Sequence, residues 1–165
     1  MKIKLKFWFF RNYWWIFVLI FIMFLGLLSL TGSGKRWNIA FSGITILITS
    51  FFFIQKQRVE ELRLFHDIFK EFNERYNTLN DSLNRIFDTK GDTPISSDER
   101  GTLFDYFNLC GEEYFYYKQG HIYPEVWTSW INGMNYFHKN SRIGKIWDEE
   151  LEQNSYYDFD KNLLK

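Results

Sequence analysis

Two long apolar segments near the start of the chain dominate its hydrophobic pattern. Residues 13–30 and residues 37–54 each run for eighteen positions without a charged side chain. Eighteen residues of α-helix rise about 27 Å, which is close to the thickness of the hydrocarbon core of a bilayer. Only a short glycine-rich turn separates the segments, and a connection this short joins antiparallel helices. The pattern therefore predicts a transmembrane helical hairpin over residues 13–54.

A cleavable signal peptide is the competing interpretation of the first segment. Residues 1–12 are basic, as the start of a signal peptide is. The apolar core is longer than that of a usual signal peptide, however, and a second span follows at once. We therefore expect the first span to be retained, with residues 1–12 as a basic cytoplasmic N-terminal segment.

After residue 54 the apolar positions follow a heptad spacing. They recur at intervals of three and four residues: Leu62, Phe65, Phe69, Phe72, Tyr76, Leu79, Leu83 and Ile86. Nothing between Trp37 and Phe87 breaks a helix strongly, so we expect the second span to continue as one helix of about fifty residues. The bulky Phe side chains favour packing within the same domain over a two-stranded coiled coil.

Shorter amphipathic segments with helix signals make up the rest of the chain. Ser96 and Glu99 have the spacing of a capping box, and Gly120 follows the expected end of that helix. Pro124 suits the first turn of the next helix, and Ser141 is the expected cap of the last one. The positions expected to be buried in these three helices are Leu103, Phe107, Cys110, Tyr114, Tyr117, Trp127, Trp130, Met134, Phe137, Ile143, Ile146, Trp147 and Leu151.

The aromatic tail after residue 152 has no period, and we expect it to dock on the bundle or on a partner. The predicted fold is therefore all-α. It has a membrane hairpin over residues 13–54, followed by a long helix and a small cytoplasmic helical bundle over residues 55–165.

Charge divides the chain into two parts of opposite sign. Residues 1–58 contain eight basic and no acidic residues, whereas residues 59–165 contain twelve basic and twenty acidic ones. The formal charges are therefore +8 and −8, and they cancel over the whole chain. Because the chain has no overall basic field, we expect contact with nucleic acid only indirectly, through a protein partner.

Basic residues also predict the orientation of the hairpin. The side that holds both of its ends carries seven: Lys2, Lys4, Lys6, Arg11, Lys56, Arg58 and Arg63. The turn carries two, Lys35 and Arg36. Since basic residues concentrate on the cytoplasmic side of membrane spans, we expect a two-span protein of the bacterial inner membrane with both termini in the cytoplasm.

Small and hydroxyl-bearing residues form a stripe along the second span. Ser42, Gly43, Thr45 and Thr49 recur at helical spacing. Such residues allow helices to pack closely, and this interpretation is favoured. The alternative is that the stripe lines a pore formed when the chain associates with copies of itself.

No catalytic motif stands out in the sequence. Cys110, the single cysteine, falls on an apolar seam, and the pair His66–Asp67 lacks the further ligands that a metal site needs. His121 and His138 lie at expected helix ends, where a histidine has a capping role. We therefore expect no catalytic, cofactor-binding or metal-binding residues.

A surface for a protein partner is the remaining candidate site. It combines aromatic and acidic side chains of the second part of the chain: Glu112, Glu113, Tyr114, Tyr116, Tyr156 and Tyr157. The acidic residues are equally explained as a solvated surface.

The stretch from Tyr106 to Met134, continued by Ile146–Leu151, resembles small bacterial membrane proteins in which a helical domain of unknown function follows one or two N-terminal spans. The shared features are an acidic-aromatic helix, a glycine turn and a Trp-rich helix, over about a third of the chain. Some of these proteins occur in anti-phage defence loci, among them the two-span effectors encoded beside retron reverse transcriptases. The resemblance implies a toxic membrane effector that a reverse transcriptase and its RNA–DNA product hold inactive.

Three hypotheses of function follow. The first is a non-enzymatic membrane effector of anti-phage defence that disrupts the membrane or forms a pore. The second is a harmless membrane anchor that recruits a cytosolic complex. The third is an enzyme that acts on nucleotides or lipids at the membrane and uses His66; it ranks well behind the others.

Overall fold

The computed structural model describes residues 2–30, 32–89 and 93–164, and every regular element within them is a helix. The elements are α1 (Lys2–Ser29), α2 (Ser33–Asp88), α3 (Ser97–Lys118), α4 (Pro124–His138), α5 (Ser141–Leu151) and a 3₁₀ helix (Lys161–Leu163). The all-α prediction is confirmed, and so is a single long helix that includes the second apolar segment. Residues 2–12, assigned from the sequence to a separate basic segment, belong to α1.

The chain divides into two compact units, Met1–Leu64 and Phe65–Lys165. Unit 1 contains α1 and the first part of α2, which run antiparallel. Phe24 lies beside Gly43, Tyr13 packs on Phe51 with 5.9 Å between ring centroids, and Lys6 Nζ lies 2.6 Å from a Glu61 carboxylate oxygen.

Apolar side chains of unit 1 are largely exposed. Leu19, Met23 and Ile46 keep 63%, 67% and 65% of their surface accessible. Both helices are long and apolar enough to cross a membrane. Exposed apolar surface on this scale is unfavourable in water and favourable in lipid, so the pattern supports membrane association.

Unit 2 has its own hydrophobic core, built from the end of α2, helices α3 to α5 and the tail. Trp147 is almost completely buried there and stacks on two rings, with centroid distances of 4.6 Å to Phe107 and 6.1 Å to Phe159. Most of the predicted heptad seam packs here, although Phe69 is 37% exposed; Leu62, which is 44% exposed, belongs to unit 1. These seam residues therefore pack against other parts of unit 2.

Local signals at the helix ends agree with the structure at three points. Ser96 and Glu99 form a reciprocal capping box, in which the Glu99 amide donates to Ser96 Oγ and the Ser96 amide donates to a Glu99 carboxylate oxygen. Gly120 has a φ of 78°, a left-handed conformation that favours glycine after a helix. Pro124 is the first residue of α4.

The predicted cap of the last helix is wrong by one residue. Asn140, not Ser141, is the N-cap of α5, because its side-chain oxygen accepts hydrogen bonds from the amides of Arg142 and Ile143. Its side-chain nitrogen donates to the Phe87 carbonyl at 2.9 Å. Asn140 therefore caps α5 and also satisfies a carbonyl at the end of α2, a second role that serine could not fill.

Arg142 extends this junction between α5 and the end of α2. Its side chain is buried, and it donates to the carbonyls of Ile86 and Thr93 at 2.9 and 3.0 Å. A Glu99 carboxylate oxygen lies 3.6 Å from its Nη2. The guanidinium thus joins the end of α2, the following loop and the start of α3.

The C-terminal tail docks on the core of unit 2, as one of the two sequence alternatives states. Tyr156, Phe159 and Leu164 are buried. Gly111 allows the close approach, since a Cβ there would lie 3.1 Å from Tyr156 Cβ.

Candidate functional site

The polar stripe of the second span divides between two faces of α2. Gly43 faces α1, because a Cβ at this position would collide with the Phe24 ring. Ala40 and Phe51 share this face: Ala40 is 9% exposed, and the Phe51 ring contacts Tyr13 and Phe17. Gly43 therefore serves packing inside the hairpin.

Ser42, Thr45 and Thr49 lie on the opposite face. At about 100° per residue they centre roughly 180° away from the face that contacts α1. All three are exposed. Asn38, which the sequence analysis left out, is exposed on the same face one turn before Ser42. We call Asn38, Ser42, Thr45 and Thr49 the polar face of α2.

The polar face does not require water as a hydrogen-bond partner. Thr45 Oγ1 donates a hydrogen bond of 2.8 Å to the Phe41 carbonyl of its own helix. A hydroxyl satisfied in this way can lie in lipid, in a pore or against another helix. The polar face is thus available for contact with another hairpin, and α1 does not cover it.

The residues predicted to form a partner surface have very different accessibilities. Tyr157 is 52% exposed, and Tyr114, Tyr116 and Glu112 are partly exposed. In contrast, Glu113 and Tyr156 keep only 7% and 5% of their surface and present almost nothing to a partner. A docking role for the accessible members stays a prediction.

Glu112 is held by an ion pair. Both of its carboxylate oxygens accept from the Arg75 guanidinium, at 2.5 and 3.3 Å. This bidentate pair joins α2 to α3 and raises the pKa of Arg75.

Glu113 belongs to a buried polar cluster that sequence analysis missed. Its neighbours in the cluster are Cys110 and Tyr106 on α3 and Tyr76 on α2. Burial raises the pKa of Glu113 to about 8; Arg75 opposes the rise and Glu112 adds to it. Burial also raises the pKa of the Cys110 thiol, so that this cysteine is a poor nucleophile.

The histidines show no common site in the described part of the chain. His66 is exposed on α2. His138, the last residue of α4, places its Nε2 2.9 Å from an Asp148 carboxylate oxygen. No group of three or more His, Cys, Asp or Glu among the described residues is arranged to hold a metal ion.

One concave surface of unit 2, about 320 Å³ in volume, lies beside the tail. Acidic residues line much of it: Asp148, Glu152, Asp158 and Asp160. Two of these already have cationic partners, since Lys161 and Lys118 lie 2.8 and 2.7 Å from the carboxylates of Asp148 and Asp158. These pairs hold the tail on the core, a structural role.

Comparison of the chain with protein-family models, with curated proteins and with solved structures finds no match.

Proposed function

We propose that this protein is a non-enzymatic effector of the bacterial inner membrane that makes the bilayer leak when its hairpins associate. The observation that carries the proposal is the polar face of α2, which lies within an apolar span and points away from α1. A helix that met only lipid would gain nothing from a continuous line of Asn, Ser and Thr side chains. Side-chain hydrogen bonds between neighbouring hairpins give this face a role.

Unit 2 is the cytoplasmic part in this proposal. Seven basic residues flank the open end of the hairpin and two flank the turn, which favours both termini in the cytoplasm. Its accessible aromatic and acidic side chains, including Tyr157 at 52% exposure, are the candidate contacts for a cytosolic partner.

The partner would hold the hairpins apart until infection. The resemblance to two-span effectors of anti-phage defence suggests a reverse transcriptase with its RNA–DNA product. Nucleic acid would then touch this chain only through the partner protein.

Inducible expression of the full chain in a bacterial host tests the proposal. We expect rapid loss of membrane potential and uptake of propidium, suppressed by co-expression of the neighbouring genes. The double variant Thr45→Leu, Thr49→Leu should insert normally but depolarise the membrane much less. The matched control is Ile44→Leu, Ile48→Leu, which changes exposed positions of the same span outside the polar face.

Two results would contradict this mechanism. Equal depolarisation by the Thr45→Leu, Thr49→Leu variant would remove the polar face from it. Normal growth and an intact potential, with and without infection, would favour the alternative, a membrane anchor that recruits a cytosolic complex.

A further inference from the structure

Three cations of unit 1 lie at one level of the hairpin. The Arg58 guanidinium carbon lies over the Tyr13 ring, 5.9 Å from its centroid. Arg11 precedes Tyr13 by two residues and Lys56 precedes Arg58 by two, and each step of two residues is about 3 Å along a helix. All three cations therefore fall within about one helical turn of each other along the hairpin axis.

These cations point in different directions. Tyr13 and Arg58 mark the faces on which α1 and α2 meet. Two residues turn a helix by about 200°, so Arg11 projects away from α2 and Lys56 projects away from α1. All three side chains are exposed. We call Arg11, Lys56 and Arg58 the cationic ring.

Neighbouring charges leave this ring positive. Lys6 already pairs with Glu61 at 2.6 Å. Glu60 lies one turn after Lys56 along α2. Arg63 lies three residues after Glu60, and its positive charge offsets that of the Glu60 carboxylate. Within the described residues no ion pair joins a carboxylate to any member of the cationic ring, so an outside anion meets no carboxylate already bound to these three cations.

Exposed indole rings border the cationic ring on the side of the span. Trp14 and Trp15 are 55% and 67% exposed, and they follow Arg11 by three and four residues. Indoles prefer the headgroup level of a bilayer, where the ring is apolar and the N–H finds a polar partner. This level is where the phosphate groups of lipids lie.

We propose that the cationic ring binds the headgroups of anionic phospholipids in preference to zwitterionic ones. The inference rests on the proposed insertion of the hairpin in a membrane. Guanidinium groups match phosphate oxygens in a bidentate geometry, and Lys56 adds a point charge. Because the three cations surround the hairpin, the ring recruits several anionic lipids, and these lipids fix the depth at which the hairpin sits.

Fluorescence quenching in vesicles tests the proposal. The full chain is reconstituted in mixed phosphatidylcholine and phosphatidylglycerol, and one of the two lipids carries brominated acyl chains that quench tryptophan. One cation near a membrane surface favours an anionic lipid by about fivefold. We therefore expect phosphatidylglycerol to be preferred at least about fivefold at low salt, and much less at 1 M salt.

A triple variant should lower the ratio of phosphatidylglycerol to phosphatidylcholine preference to near one. It carries the substitutions Arg11→Gln, Lys56→Gln and Arg58→Gln. Its control, Arg100→Gln, Lys139→Gln, Lys145→Gln, removes three exposed cations of unit 2 and should keep the preference. Far-UV circular dichroism checks that both variants retain their helix content.

Each contrary outcome has its own meaning. Equal quenching by both brominated lipids in the wild type, or an unchanged preference in the Arg11, Lys56, Arg58 variant, would overturn lipid selection by the cationic ring and leave membrane insertion standing. Absence of quenching by either lipid would show that the hairpin is outside the bilayer, and the proposed function would fall as well.

Discussion

The substitution Glu113→Gln probes the buried polar cluster of unit 2. Glu113 keeps 7% of its surface and lies near Cys110, Tyr106 and Tyr76. Burial raises the pKa of its carboxyl from 4.5 to about 8. The folded chain therefore holds a proton here at neutral pH, whereas the unfolded chain has released it.

Stability must then fall as the pH rises. Between pH 4.5 and pH 8 the folded state binds more protons than the unfolded state, so the free energy of unfolding decreases with pH in this window. At pH 7 the loss relative to acid conditions is about 3 kcal/mol, and between pH 5 and pH 8 it is about 3.5 kcal/mol. Glutamine has nearly the shape of the protonated carboxyl and does not ionise, so Glu113→Gln should abolish this loss.

Thermal unfolding of the full chain in detergent, followed by near-ultraviolet circular dichroism, measures the effect. The signal reports Trp147 and the aromatic side chains around it. For a unit of about 100 residues, we expect the variant to unfold at least about 10 °C above the wild type at pH 8, and at nearly the same temperature at pH 4.5. Glu149→Gln, the same change at an exposed site on α5, should leave the pH dependence as in the wild type.

Parallel pH profiles of the wild type and Glu113→Gln would refute the reasoning. So would a variant that is less stable than the wild type at pH 8. Either result would mean that Glu113 is ionised in the folded state and that another group compensates its charge.

Other substitutions test the packing of unit 2 in the same unfolding assay. Gly144→Ala should destabilise it by about 2–3 kcal/mol because the new Cβ would collide with a backbone carbonyl of α4, whereas Gly133→Ala, with open space around it, should stabilise it by about 0.5–1 kcal/mol; equal effects would contradict the close contact. Arg142→Met should cost about 3 kcal/mol because the Ile86 carbonyl loses its buried donor, and a near-neutral result would show that water replaces the guanidinium. Ser96→Ala should cost about 1 kcal/mol through loss of the capping box, and an unchanged melting temperature would show that the cap contributes nothing.

Much of the secondary structure was predictable because its causes are local. Eighteen uncharged residues identify each candidate span, and the capping box of α3 depends on two side chains three residues apart. Gly120 ends α3 through its own backbone freedom. The prediction of Ser141 as the N-cap of α5 was wrong for a non-local reason. Asn140 is the cap, and its side chain also donates to the Phe87 carbonyl, 53 residues away.

Burial of Glu113 had a local signal that the sequence analysis did not use. Glu113 follows the buried Cys110 by three residues and therefore shares its face of α3. Tyr156 had no such signal, because the tail has no regular period. Its burial depends on Gly111, which leaves room for the tail on the surface of α3.

The sequence by itself determined the helices, most of their ends and the two apolar spans, because these depend on periodicity and on neighbours a few residues apart. Tertiary structure decided which face of α2 is free, that Tyr76 of α2 lies near the buried Glu113, and which residues join α5 to the end of α2. Those outcomes depend on residues brought together from positions at least 19 residues apart, such as Phe24 with Gly43, Tyr76 with Tyr106 and Ile86 with Arg142. Only packing can select such contacts, because many pairings satisfy the same hydrophobic pattern.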